Sequence, residues 1–550
     1  MIKEALLHTP HSEWVFHPTV YKSVIRFRTA KNDALNVALA VRPKYINEQP
    51  KLYVMERRFS DSLYDYYETE IPTHYGRIYY YFVLTDKDGK EYFYTEHGFQ
   101  ESEEDTASQY YPYFMIPYIT AKDTVSVPDK FKNSVIYQIF PDRFYASNPK
   151  ISDWVEHKPV WTDYYGGDLY GIYDKLNYLK DLGIDVIYLT PIFVSGTSHH
   201  YDVRDYYKVS DDFGGDEAFR KVVEKAHTLG IKILLDGVFN HCSSDNPIFQ
   251  DVIRNGQKSE YYDWFYMDEP ERGSITYETY ADRLGYMPKL RSDNEEVIKF
   301  VSDVTTYWIK NFGVDGWRLD VADDVSPYLW REVRKAVKAI DSQAIIIGED
   351  WRDSRLFLQG DCFDGVMNFL FNRVLRDYIA FGKINGEQAA DRLIRLYFSN
   401  NASCSKMMMN VLDCHDTPRF FTLCKENIAL YHMALCLLFF YDGMPLVYYG
   451  DELPMSGATD PDCRRGFDWR KMGSETSSLI RLLNEMRRSE SEDTKMYISS
   501  EKGVLILERK SSRVNYLCIN LEKECANTKY GKINGKSAVI SINGKVVSIQ

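Results

Sequence analysis

The 550-residue chain has no cluster of basic residues. Its 67 Lys and Arg are scattered among 80 Asp and Glu, for a formal net charge of −13. That excludes the usual electrostatic footprint of a nucleic-acid partner or an anionic membrane surface. The opening residues, MIKEALLHTPHSEW, hold no apolar run of signal-peptide length. The most apolar stretch, IALYHMALCLLFFYDGMPLVYYG, is broken by His432, Asp442, Gly443 and Pro445. It reads as a buried helix, a turn and a buried strand rather than a membrane span. Nine cysteines are present, none in the first 240 residues and no two in a CxxC pair. An odd, scattered set without an export signal predicts free thiols in a reducing cytoplasm; an exported protein trimmed of its leader is the alternative. Internal repeats and low-complexity tracts are also absent.

What is present is length and apolar residues enough for two to four domains, with 44% hydrophobic content. The 44 tyrosines suit stacking on sugar rings, although core packing accounts for most aromatics in any chain. Residues 1–124 alternate in short runs (SVIRFRTA, LNVALAVR, KLYVMERRF, YYYFVLT) separated by turn signals such as KDGK, which predicts a β-sandwich. From Val135 apolar strand candidates recur with amphipathic stretches between many of them: VIYQIF, DVIYLT, KILLDGVF, GWRLDV, AIIIGE, FDGVMN, MMMNVLD and PLVYYG. Helices are predicted at GIYDKLNYLKDLG and EAFRKVVEKAHTLG, stopped by Gly183 and Gly230. The fold class is therefore α/β: a (β/α)₈ TIM barrel over residues 125–472, with a loop subdomain inserted at about 243–298 and a C-terminal β domain over 473–550.

Active sites of such barrels form at the C-terminal ends of the strands. The third strand candidate ends in Asp236, Asn240 and His241; the fourth supplies Arg318 and Asp320, the fifth Glu349, and the seventh runs into His415 and Asp416. Each has a bland reading. Asp236 could simply pair with Arg318, the histidines could be satisfied loop residues, and Asp416 could cap a helix. Together, three carboxylates on separate strand ends beside Arg and His fit glycoside hydrolysis. A retaining mechanism needs two carboxyl groups about 5–5.5 Å apart, one a nucleophile and one an acid/base. Arg318 and Asp320 stand two apart on a strand and share a face, so Arg318 is expected to hold Asp320 ionised; Glu349 is then expected to carry the proton.

DGVFNH, GWRLDVA, GED and HDTPR resemble, in order, the four signature regions of the α-amylase family, glycoside hydrolase family 13. MPKL (287–290), GMPLVYYGDE and DPDCRRGFDW resemble its cyclomaltodextrinase, neopullulanase and maltogenic amylase branch, as does a sandwich leading into VIYQIFPDRF. The resemblance implies Asp320 as nucleophile, Glu349 as acid/base and Asp416 as transition-state stabiliser. It implies that His241, Arg318 and His415 bind the sugar at the cleavage point, over Tyr201 as aromatic platform with His199 on a hydroxyl. Asp460 and Arg464 would contact the next sugar on the non-reducing side. Hydrolysis of α-1,4 bonds in cyclodextrins, malto-oligosaccharides and pullulan is implied, with an ordinary α-amylase or a transglycosylase as alternatives. A non-catalytic scaffold on the same barrel is the rival from another class; it would lack the three carboxylates.

Two departures stand out. Relatives often bind calcium just after the first strand, but YASNPKIS (145–152) puts Ala146, Asn148, Ile151 and Ser152 where oxygen ligands are expected, leaving Asp168 alone. No metal and no cofactor are expected. After Val321-Ala322, Asp323-Asp324 replace the branch's usual Asn-Glu on the leaving-group side. The resemblance further implies a homodimer through the N-terminal domain.

Overall fold

The computed structural model describes residues 1–46, 48–74, 76–102, 111–267, 277–281 and 284–550. Eight short parallel strands close into one barrel in chain order: β1 (Ile136–Ile139), β2 (Val186–Leu189), β3 (Lys232–Gly237), β4 (Gly316–Leu319), β5 (Ile345–Gly348), β6 (Gly365–Asn368), β7 (Met409–Val411) and β8 (Met444–Tyr448). Nearly every residue in them is buried, as strands covered on both faces must be. The inward layer packs Ile136, Tyr188, Leu234, Ile345, Met409 and Leu446 against one another.

Seven longer helices surround this sheet: α1 (Leu169–Leu182), α2 (Gly215–Thr228), α3 (Glu295–Phe312), α4 (Pro327–Ile340), α5 (Gly386–Phe398), α6 (Ile428–Phe440) and α7 (Glu475–Arg488). Their starts are written locally. Asp168 caps α1, Asn294 caps α3, Ser326 precedes Pro327 at α4, and Asn385 forms a capping box with Gln388. Gly183 ends α1 at φ 94°, a left-handed turn that glycine adopts without strain. Helix α6 is buried all round beneath the C-terminal sheet. Among the described residues no helix is long and apolar enough to cross a membrane.

The expectation of helices between the strands holds except between β5 and β6. There, DWRDSRLFLQGDCF has no helical periodicity and supplies only a 3₁₀ turn at Ser354–Leu356. The connection after β3 carries a helix at Pro247–Asn255 and the MPKL segment before α3 begins at Glu295; residues 268–276 and 282–283 of that insertion lie outside the described ones.

The N-terminal region folds as two packed antiparallel sheets, one of four strands and one of six, around Ile25, Phe27, Leu39 and Phe82. It docks on the flank made by α5 and the residues after it. Phe59 packs on Tyr397 and Phe398, Arg26 donates to the Asn400 carbonyl at 2.7 Å, and Arg395 meets Asp61 at 2.9 Å. A five-stranded antiparallel sheet, Lys495 to Ile549, closes the chain after α7.

Candidate active site

Strand register builds the centre. Asp236 on β3 lies directly opposite Arg318 on β4, and the β4–β5 pairing continues until the Glu349 N–H donates to the Leu319 carbonyl at 2.9 Å. Asp236, Arg318, Asp320 and Glu349 thus meet at one rim. Arg318 is fully buried. Its Nη1 donates to Asp236 Oδ1 and Oδ2 at 2.8 and 3.0 Å and to Asp320 Oδ1 at 2.7 Å. Its Nη2 sits 2.9 Å from Glu349 Oε2, close enough for an ion pair yet out of line for a hydrogen bond.

Three carboxylates sharing one guanidinium cannot all be fully compensated. Burial pushes Asp320 well above the ordinary carboxylate range; Arg318 pulls it down, and Glu349 and Asp236 push it back up. Asp236 is also raised, chiefly by burial. The expectation that Arg318 holds Asp320 ionised is therefore not met: Arg318 does lower it, but burial first, and then the Glu349 and Asp236 carboxylates that share the guanidinium, outweigh it. The cluster instead has a strong tendency to retain a proton.

On the facing side, His415 stands in a directed chain. Its Nε2 lies 3.0 Å from an Asp416 oxygen, which when ionised can only accept, so Nε2 carries the proton. Nδ1 then accepts from Gln138 Nε2 of β1 at 2.7 Å. Burial, with Arg464 and Arg318 nearby, holds His415 well below its ordinary value, so it is neutral. The Tyr201 hydroxyl lies 2.5 Å from His415 Nε2 and donates to Asp236 Oδ2 at 2.9 Å, joining the two sides of the mouth. The Tyr201 and His415 rings are nearly parallel.

Arg464 ties the rim together: Nη2 lies 3.2 Å from Asp416 and 3.1 Å from Asp460, and Nε donates to the His415 carbonyl at 2.8 Å. His199 accepts the Tyr201 backbone N–H on Nδ1, leaving Nε2 as its donor, and burial lowers it to about 4. His241 is brought to the same wall, but both ring nitrogens are occupied: Nε2 with the Tyr201 carbonyl at 3.1 Å and Nδ1 with Asn240 at 3.3 Å.

A sequence profile described as "Alpha amylase, catalytic domain" matches residues 138–502, and one described as "Alpha amylase, N-terminal ig-like domain" matches residues 1–120. The chain belongs to the α-amylase family. It is 38% identical to a cyclomaltodextrinase of Thermoanaerobacter pseudethanolicus, covering 90% of this chain and 87% of that protein. Neopullulanase 2 of Thermoactinomyces vulgaris is 37% identical, with 89% and 84% covered. A solved cyclomaltodextrinase superposes with a TM-score of 0.89 at 30% identity, covering 96% and 92% of the two chains. This α-amylase-family chain is an enzyme, a glycoside hydrolase of the cyclomaltodextrinase, neopullulanase and maltogenic amylase branch.

Several residues around this α-amylase-family site carry no local signal in the sequence. Val321, next to Asp320, sits at φ 46°, ψ 41°, a left-handed conformation that a β-branched residue avoids. That turn aims its N–H at Glu349 Oε2, 2.8 Å away, while Trp351 Nε1 donates to Oε1 at 2.9 Å. Both Glu349 oxygens are thereby oriented, and the Trp351 ring is itself stacked on Phe369. Tyr188 donates to Asp236 at 2.6 Å, and Gln138 holds His415; only their strand-end positions could have flagged them. Asp324 pairs with Lys289 of MPKL at 2.7 Å, linking the insertion to the turn after Asp320.

The family's calcium segment does not fit a metal here. Asp168 spends one oxygen capping α1 through Gly171 N at 2.6 Å and the other on the Ser147 hydroxyl at 2.6 Å; Lys150 of the same segment points its ammonium at Asp212 instead. Among the described residues the single cluster of metal-ligating type is Cys414, His415 and Asp416. Its histidine nitrogens are already engaged, and burial keeps the Cys414 thiol protonated.

Proposed function

We propose that this hydrolase opens α-1,4-glucosidic bonds in cyclodextrins, short malto-oligosaccharides and pullulan by a two-step retaining reaction. The carrying observation is that one guanidinium, Arg318, reaches both Asp320 and Glu349. That suits the close carboxyl spacing of retaining enzymes better than the wider gap that admits a water between the groups. Asp320 attacks the anomeric carbon while Glu349 protonates the departing glycosidic oxygen. Glu349, now a carboxylate, then takes a proton from water as it releases the sugar from Asp320. His199 Nε2–H and the Asp416 carboxylate, which His415 Nε2–H and Arg464 hold in place, offer a donor and an acceptor to sugar hydroxyls whose bonds tighten in the transition state. The names of the relatives, cyclomaltodextrinase and neopullulanase, support the substrate class.

The enzyme works without calcium in this reading, supported by the engaged oxygens of Asp168. A homodimer through the N-terminal sandwich accounts for a preference for small glucans. The chain's own sandwich lies along α5, so narrowing of the cleft falls to a second copy. A cytoplasmic location is supported by nine free thiols, eight of them buried. The test is side-by-side product analysis on β-cyclodextrin, pullulan and soluble starch. A higher kcat/KM on β-cyclodextrin than on starch, with maltose as a main product, is expected. A preference for starch would replace this reading with that of an ordinary α-amylase.

A further inference from the structure

We propose that Trp161 is a sugar-stacking platform, a binding position for a glucosyl unit on the non-reducing side beyond the one that Asp460 and Arg464 hold. This extends the function proposed above and rests on it. The chain has nine tryptophans, and Trp161 alone among them is largely exposed, at 58%. A lone exposed apolar side chain needs no explanation by itself. Two further observations set this one apart.

The first is its place. The Arg464 guanidinium lies 5.8 Å from the Trp161 ring centre, and the same guanidinium meets both Asp416 and Asp460. The indole is therefore one side chain removed from the catalytic rim. Tyr164, three residues on, donates its hydroxyl to the Gly196 carbonyl and so fastens this loop to the one carrying His199 and Tyr201.

The second is how firmly the turn is held. Asp163 N donates to the Val160 carbonyl at 3.1 Å, and Val160 N donates to Asp163 Oδ2 at 2.7 Å. His157 binds the same carboxylate at 2.9 Å, and Arg143 donates to the Asp163 carbonyl at 2.9 Å. The other aromatics of the loop have structural partners: Trp154 donates to the Phe467 carbonyl, and Tyr165 packs under Arg143. Only Trp161 is turned outward, on a backbone with little freedom left to lose. A rigid aromatic face beside donors and acceptors is what the apolar face of a pyranose with polar edges requires, and pre-organisation cuts the cost of binding.

The experiment compares wild type with Trp161→Ala and Trp161→Phe on maltohexaose and on p-nitrophenyl α-glucoside. The first substrate spans the outer position and the second does not. Trp161→Ala is expected to raise KM for maltohexaose about three- to tenfold, with kcat and melting temperature unchanged and the small glucoside unaffected; Trp161→Phe restores most of the loss. An unchanged maltohexaose KM, or an equal loss on both substrates, overturns the platform while leaving the hydrolase reading intact. Absence of hydrolysis of every glucan by wild type overturns that reading and the platform with it.

Discussion

Two buried arginine clusters occupy opposite ends of the same barrel and have opposite charge balance. At the mouth, Arg318 serves Asp236, Asp320 and Glu349. At the base, Arg509 of the C-terminal sheet meets Asp442, just before β8, at 2.8 Å, and meets Glu490 after α7; Arg487 stands behind it, donating to the Gly443 carbonyl. Burial opposes ionisation in both. At the base, Arg509 and Arg487 outweigh it and hold Asp442 below the ordinary carboxylate range. At the mouth, one guanidinium is not enough, and Asp320 rises. The same residue types thus make a clamp where cations are in supply and a proton-holding centre where carboxylates are in surplus.

The largest effect that separates the two ends is on turnover. Asp320→Asn or Glu349→Gln is expected to lower kcat at least about a thousandfold, since each removes a chemical role. Neither should lower the melting temperature, because each takes one charge from an over-subscribed cluster. A variant that loses stability but keeps its rate would erase the contrast. Arg509→Met is expected to do the reverse. Leaving Asp442 and Glu490 buried without it should cost about 3–5 kcal/mol in denaturant unfolding, with kcat/KM of the folded fraction unchanged.

Acid sharpens the comparison further. The depressed Asp442 contributes stability that is complete above the unfolded value of about 3.9 and is lost as pH falls through its folded value. Asp320, raised in the fold, is more favourable to folding when protonated, and as the proposed nucleophile it is lost as pH falls through its raised value. Activity should therefore disappear on acidification while the protein is still folded. Coincident loss of kcat/KM and of near-UV circular dichroism would contradict this.

A smaller effect is expected at Gln138. Its Oε1 is buried without a partner, which offsets part of the cost of leaving His415 Nδ1 unpaired, so Gln138→Met should cost at most about 1–3 kcal/mol of stability. It frees His415 Nδ1, however, and kcat should fall about tenfold, with an altered pH profile as the tautomer is released. The smallest effect expected is none: EDTA should change neither activity nor melting temperature, and a loss restored by Ca²⁺ would show a site elsewhere.

Much of this was legible in the sequence, for identifiable reasons. Parallel strands buried on both faces read as continuous apolar runs, and polar residues at their C-terminal ends, such as Asp236 after KILL and Arg318 within GWRL, stand out against them. The signature segments carried the family. The sharing of Arg318 among three strands was not legible, because it depends on register between β3, β4 and β5. Nor was the left-handed turn at Val321, which no local preference encodes. Gln138 lay inside an apolar strand whose partner is nearly 280 positions away in the chain.

The claim that Arg318 gathers Asp320 and Glu349 for a two-step displacement is tested most directly by the anomer first released. β-Cyclodextrin has no reducing end, so every reducing end seen by ¹H NMR in the first minutes is newly made. Two inversions at the anomeric carbon predict the α-anomer first, with β appearing only as mutarotation proceeds. The β-anomer appearing first would contradict the account.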